Sequence, residues 1–369
     1  MNGDAHEHVE TLIIGGSQSG LATGHQLSQR GRAFLIVDSH QRVGDAWRHR
    51  WDSLRLFTTA RYDGLPGMPF PAPSTHYPTK DEAADYLEVY ATRFQLPVMT
   101  GVTVEGLTRN GPVFEATAGD RVFTSDNVVV ATGAFHAPRT PAFAESMDPG
   151  IAQLHSSQYR RPDQLHGGGV LVVGAGNSGA EIALELSRDH PVWLSGRDTG
   201  QEPTRAGSLP DRLAMPVMWF LASRVLTVGS PLGRKVRDQF LHPPRGIPLG
   251  RVRRKDLVAA GIERVPRVAS VSSGLPVLDD GRVLDVRNVV WCTGFDIDLS
   301  WIDLPLVATD GYPEQDRGII AEHPGLYIVG LPFLRSLSSA LLGGVGRDAS
   351  HIADHIDNRA PARTAGLAA

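Results

Sequence analysis

Apolar and polar positions repeat one plan twice along the 369 residues. A short apolar strand over residues 11–14 runs into Gly15-Gly16-Ser17-Gln18-Ser19-Gly20, and a helical stretch follows over 21–30. The second copy opens 159 residues later. There an apolar strand over 170–173 runs into Gly174-Ala175-Gly176-Asn177-Ser178-Gly179, and residues 180–187 carry Ile182, Ala183, Leu184 and Leu186 as a packed helix requires. A second strand follows each helix, over 33–37 and 191–194. Hairpin signals come later, at Gly119-Asp120 in the first copy and Asp280-Gly281 in the second. Each copy closes on a strand ending in Thr-Gly, 127–133 and 288–294, at an offset of 161 residues.

Two matches at nearly one offset define a duplication. Strands alternating with helices, plus an antiparallel hairpin layer, predict an α/β fold of two Rossmann-like three-layer dinucleotide-binding domains in a glutathione-reductase-like arrangement. The longest apolar run, 213–223, is broken by Pro216 and falls short of the roughly 20 residues of a spanning helix. It reads as a buried helix on the second domain, with a subunit interface or membrane-surface contact as the alternatives. The segment 198–248 has no counterpart in the first copy and reads as a lid, an interface or both.

Hydrophobic residues at 41% and charged residues at 21% describe an ordinary globular chain, and a net charge of -4 gives no general attraction to nucleic acid or to an anionic membrane. The basic stretch Arg251, Arg253, Arg254, Lys255, closed by Asp256, reads as a solvated face or as a neighbour of a cofactor phosphate. A single cysteine, Cys292, excludes a CxxC redox pair. The polar N-terminus resembles no targeting leader, which implies a cytoplasmic protein. A metal site is not expected at His6 and His8.

The glycine loops carry the chemistry. A dinucleotide pyrophosphate sits against backbone N-H groups at a helix N-terminus, where side chains would intrude. Gly15 and Gly174 allow the tight turn, Gly20 and Gly179 let helix and strand pack, and Gly176 admits the pyrophosphate; Ser17 stands at the matching place in the first copy. The end of the second strand meets the adenosine ribose. Asp38, followed by Ser39, lies 18 residues past Gly20, and Arg197 lies 18 past Gly179. An acid bonds ribose hydroxyls and repels a 2'-phosphate, which suits FAD; Arg197, with the Ser195 hydroxyl, suits the 2'-phosphate of NADP. Asp198 tempers that preference and leaves NADH open.

Beyond the loops, Gly44-Asp45-Ala46-Trp47-Arg48 and Arg50-Trp51-Asp52-Ser53-Leu54-Arg55-Leu56 resemble the stretch that wraps the flavin in class B flavin-dependent monooxygenases. These are the flavin-containing, Baeyer-Villiger and plant YUCCA-type enzymes, and above all their single-chain bacterial relatives. The segments 65–71 and 77–80 extend the likeness over most of the chain. It implies cofactor contacts at Trp47, Arg48, Ala131, Thr132, Gly133 and Gly330, although Trp47 and Trp51 are equally suited to the core. Three places depart from the pattern. Only the second half of the inter-domain fingerprint is present, at His155-Ser156-Ser157-Gln158-Tyr159; His155 reads as a linker residue held by backbone bonds, with a catalytic acid as the alternative. Thr58 or Thr59 stands where many relatives place an Asn at the flavin edge. Leu331 follows Gly330 where an Asp is usual, leaving flavin contacts there to backbone or to 343–346.

The resemblance implies an enzyme that takes electrons from NADPH onto FAD, forms a flavin C4a-hydroperoxide with dioxygen and passes one oxygen atom to a small organic nitrogen, sulfur or carbonyl substrate. An NAD(P)H-dependent flavin reductase or oxidase is the second reading, and a non-catalytic cofactor-binding sensor the third. The division expected is an FAD domain over 1–158 and 298–369 around an NADP domain over 159–297. No catalytic side chain is singled out, and a homodimer is left open.

Overall fold

The computed structural model describes residues 5–241, 247–306 and 312–359; the ends of the expected FAD domain and part of the 198–248 segment lie outside these. The first sheet is built around Ala5–Ile14, which pairs in parallel with Phe34–Asp38 on one side and Arg121–Val130 on the other. Arg121–Val130 is used in two halves. Its first half pairs with Val113–Ala118 and so carries the antiparallel meander, while Val128 to Val130 pairs in parallel with Leu326–Ile328. One long strand therefore belongs to both the hairpin layer and the parallel core, where two separate strands were expected.

The second sheet is wholly parallel, in the order Glu263–Val265, Val192–Ser195, Val170–Val173, Asn288–Trp291, Ala152–His155. Its central strands, VLVV and NVVW, are buried at every position, as expected of strands covered on both faces. The second hairpin sits one strand earlier than expected. It joins Val268–Ser272 to Leu275–Leu278 through Ser273-Gly274, whereas Asp280-Gly281 closes only an isolated bridge between Val277 and Val283. Gly274 takes the left-handed φ of 79° the turn demands. Ala152–His155 joins the second sheet although it precedes residue 158, because the open edge of Asn288–Trp291 receives it.

The two chain crossings lie side by side, with Ala137–Pro138 antiparallel to Phe295–Asp296. His155 ties them together. The Ser157 amide donates to its Nδ1, so Nε2 carries the proton and donates to the Gly294 carbonyl at 3.0 Å. Burial lowers its pKa, and both ring nitrogens have neighbours, Ser157 at Nδ1 and the Gly294 carbonyl at Nε2.

The 209–241 segment corrects the expectation of a buried helix on the second domain. It leaves the second sheet and packs on the first unit. Tyr77 donates to Asp211 at 2.6 Å, Trp219 stacks on Tyr62 at 5.1 Å, Arg347 donates to the Ser223 carbonyl at 3.0 Å, and Val228 and Leu337 exchange backbone bonds with Arg335 and Leu226. Its outer face stays exposed, with Leu213 at 70%. A second bridge comes from Arg251, which binds Glu181 at 2.8 Å on its own unit and the Leu56 carbonyl at 2.8 Å across the junction. Burial raises the Glu181 pKa despite that ion pair, so Arg251→Ala leaves a desolvated acid. Thermal melts of this variant are expected to show a loss of about 3 kcal/mol.

Candidate functional site

The two glycine loops repeat at the level of single hydrogen bonds. Gly15 N donates to Val37 O and Gly174 N to Ser195 O, each at 2.8 Å; Ala131 N donates to Ile14 O and Cys292 N to Val173 O, at 2.8 and 2.7 Å. Each loop starts on a left-handed glycine, with φ of 113° at Gly15 and 110° at Gly174. A Cβ on Gly20 would fall inside the contact distance of the Gly15 carbonyl oxygen, and one on Gly179 inside that of Gly174. Close helix-to-strand packing therefore requires both glycines.

The helices that follow, Gln18–Ser28 and Asn177–Leu186, start without a side-chain cap at Ser17 or Gly176. Their first-turn amides are thus left for a ligand. Open space lies where side chains at Gly176 and Gly133 would be. These features fit a pyrophosphate at either loop.

Around the first loop the structure gathers most of the expected residues. Asp38 accepts from Gly16 N at 2.5 Å and from both His40 N and Nδ1 at 2.8 Å. Burial works against its charge, but the bonds from His40 and from the Gly16 and His40 amides outweigh it and hold the pKa below the usual value. Ser39 is exposed beside it. Gln18 accepts from Ser17 at 2.6 Å and from the Trp47 indole at 3.1 Å, so Trp47 is positioned on the loop as well as packed on the core. Ser19 meets Gly330, whose φ is 87° and whose missing side chain would strike the Ser19 Oγ, and Gly133 lies on the same side. Ala131 is buried under Gly15, and Thr132 and Gly133 are half-buried. Arg48 is placed otherwise: its guanidinium binds the Val43 carbonyl, Asp45, Asp85 and Glu88 at 2.7 to 3.2 Å. It braces the wrapping segment and is already committed to these partners. Trp51 is core.

At the second loop, Arg197 is exposed and has no hydrogen-bond or ion-pair partner among the described residues. Asp198, which tempered the NADP preference, is taken up by Arg254 at 2.8 Å and by Gly200 N at 2.9 Å. The Gly200 amide, then Arg254, holds its pKa low. Arg264 donates to the Gly196 carbonyl at 2.9 Å, and burial lowers its pKa. Arg254 and Arg264 were not singled out as ligands from the sequence; only the basic stretch at 251–255 hinted at one of them. Ser195 is a correction. It is fully buried and donates to the Pro266 carbonyl at 2.8 Å, which removes it from a phosphate role. Asn177 binds the carbonyls of Ile247 and Pro248 and the amide of Gly250, anchoring the returning chain. Ser178 is half-exposed in the first helical turn.

A third group of polar atoms gathers around Gly343 and Gly344. Thr58 donates to Asp63, which is fully buried, and the second carboxylate oxygen has no partner among the described residues. Burial pushes the Asp63 pKa from 3.8 up to about 7, against the Thr58 bond. Such an acid stabilises the fold below its unfolded pKa and loses that contribution as pH rises from about 4 through about 7. Asp63→Asn is accordingly expected to raise the melting temperature at pH 8 by a few degrees and to leave it unchanged at pH 4. Nearby, Arg335 pairs with the buried Asp348 at 3.1 Å, and Arg335 Nη2 and Asp348 Oδ2 remain unpartnered among the described residues. Orphaned polar atoms of both signs beside a glycine cradle suit the polar edge of a bound ring. A cavity of about 420 Å³ lies alongside, lined by Arg61, Tyr62, Met68, Trp219 and Gly343 among others.

Two glycine-loop units on parallel sheets, joined by paired crossings, define a two-dinucleotide oxidoreductase. Residues 12–208 match the family described as pyridine nucleotide-disulphide oxidoreductase, and the chain belongs to it. It is 41% identical to an uncharacterized CzcO-like oxidoreductase of Geobacillus kaustophilus, over 95% of this chain and 99% of that protein. It is 30% identical to a probable indole-3-pyruvate monooxygenase, YUCCA3, of Arabidopsis thaliana, over 94% and 86%. Among solved structures, a flavin-containing monooxygenase from Stenotrophomonas maltophilia superposes with a TM-score of 0.73 at 30% identity, over 95% of this chain and 98% of that one. The resemblance to the class B flavin-dependent monooxygenases thus spans the chain. Dithiol chemistry, which the family description also names, has no basis here: Cys292 is the sole cysteine, and burial pushes its thiol up to about 12. Among the described residues no acid, histidine and cysteine cluster suits a metal, and no helix is long and apolar enough to cross a membrane.

Proposed function

We propose that this chain is an FAD-dependent, NADPH-consuming monooxygenase that transfers one oxygen atom from dioxygen to a small organic substrate. The observation that carries this reading is the charge difference at one aligned step of two otherwise matching loops: a negatively charged Asp38 at the first, and at the second an Arg197 without a partner among the described residues, beside Arg254 and Arg264. The similar flavin monooxygenases support the reaction class.

In this reading the FAD pyrophosphate lies on the amides of the Gly15–Gly20 loop, Asp38 takes the ribose hydroxyls, and Ser19, Gly133 and Gly330 line the path of the cofactor. The Gly174–Gly179 loop takes the pyrophosphate of NADPH and Arg197 its 2'-phosphate. The FAD unit spans 1–151 and 298–369 and the NADP unit 152–297, the boundary expected at 158 moving back because the Ala152–His155 strand pairs in the second sheet. Bound flavin supplies electron transfer and oxygen activation. The protein's own part is orientation and exclusion of water. Arg251 and the 209–241 segment hold the units against each other, and Asp63, Arg335 and Asp348 present polar atoms at the ring site.

The test is NADPH oxidation under air with hydrogen peroxide measured alongside. With a suitable amine, sulfide or ketone, peroxide is expected to fall well below the NADPH consumed, with oxygenated product making up the difference. Stoichiometric peroxide with every class of substrate would instead support the oxidase reading.

A further inference from the structure

We propose that the outer face of the helix Leu209–Phe220, with the π turn Leu221–Val225 that continues it, is a docking surface for an anionic lipid bilayer. Leu209, Leu213, Val217 and Phe220 recur at helical spacing on one face and are 69, 70, 59 and 58% exposed. The opposite face is occupied: Asp211 is buried under the Tyr77 hydroxyl and Trp219 stacks on Tyr62. Contacts with the first unit thus fix which side turns outward. A contiguous apolar stripe of this kind marks an interaction site.

Charge selects the occupant. Arg212 flanks the stripe, Arg224 continues it one turn beyond Phe220, and both are exposed. The single acid of this helix, Asp211, is buried. The following helix, Pro231–Leu241, adds exposed Leu232, Arg234 and Lys235. Residues 209–241 hold five cations against two acids in a chain whose net charge is -4, so the whole-chain balance conceals a local positive sign. An apolar stripe edged with arginines matches the boundary between acyl chains and anionic headgroups, where the stem of each arginine stays in apolar contact while its guanidinium reaches phosphate. A second copy seated through this same helix would set Arg212 and Arg224 against a stripe whose single acid, Asp211, is buried, with Asp238 of the following helix the exposed carboxylate of the patch. The stripe runs beside Trp219, which lines the 420 Å³ cavity.

The experiment is flotation of the full-length, flavin-loaded protein with vesicles of phosphatidylcholine alone and of phosphatidylcholine with phosphatidylglycerol, at low and high salt, alongside sedimentation velocity without lipid. Binding is expected to the anionic vesicles only, and to weaken with salt. Leu213→Asp with Val217→Asp should abolish it, and Arg224→Glu should weaken it by at least about fivefold, both with the flavin absorbance unchanged. Arg212→Glu serves in place of any variant that loses flavin. Absence of flotation by the wild-type holoprotein would overturn the proposal, as would a lipid-free dimer that Leu213→Asp converts to monomer.

Discussion

Gly20→Ala is expected to purify without flavin. The new methyl would fall within contact distance of the Gly15 carbonyl, and that carbonyl has nowhere to go. Gly15 is held by its bond to Val37 and by a φ of 113°, and the place of its own missing side chain lies 2.6 Å from Ala131 O. Relief must come from lifting the helix Gln18–Ser28 off the strand, which withdraws the first-turn amides from the pyrophosphate. Overpacking of this kind costs on the order of 3 kcal/mol, or about a hundredfold in affinity. The flavin-to-protein absorbance ratio reads it directly. Gly179→Ala meets the same obstruction against Gly174 and provides the internal control: it should keep its flavin and lose reduction by NADPH. If Gly20→Ala holds flavin as the wild type does, the first loop is not the FAD site.

Arg197→Ala is expected to raise the KM for NADPH by about 10- to 100-fold, the span of one or two charge-assisted hydrogen bonds, while the KM for NADH stays within about threefold. The structure strengthens this beyond what the aligned position alone supports, since Asp198 is engaged by Arg254 and leaves Arg197 uncompensated. Arg254→Ala should act in the same direction for a second reason, because it frees Asp198 to repel the 2'-phosphate. Steady-state kinetics with both coenzymes checks the pair. Equal effects on NADPH and NADH would remove the 2'-phosphate from this site.

The duplicated plan was legible because it depends on local rules: glycines where side chains collide, apolar runs where both faces are covered, and a charge at a fixed step from the loop. What escaped the sequence depends on partners distant along the chain. Ser195 looks like a phosphate donor until Pro266, 71 residues on, takes its hydroxyl. Arg48 lies within the motif that resembles the family's flavin wrap, yet Asp85 and Glu88 of a later helix claim its guanidinium. Arg264 reaches the NADP side only because parallel pairing sets it opposite Leu194. The apolar run at 213–223 reads as buried on composition, but the helix turns Asp211 and Trp219 inward, while Leu213, Val217, Met218 and Phe220 face out. The hairpin slipped because Ser273-Gly274 and Asp280-Gly281 are both credible turns and only strand pairing chooses between them.

The most direct test of the central claim is the absorbance spectrum of the purified protein, followed under anaerobic conditions as NADPH or NADH is added. The two-loop account expects a stoichiometric flavin spectrum that NADPH bleaches, and bleaches faster than NADH at equal concentration. A protein that carries no flavin after reconstitution with FAD, or whose bound flavin NADPH leaves oxidised, would contradict it.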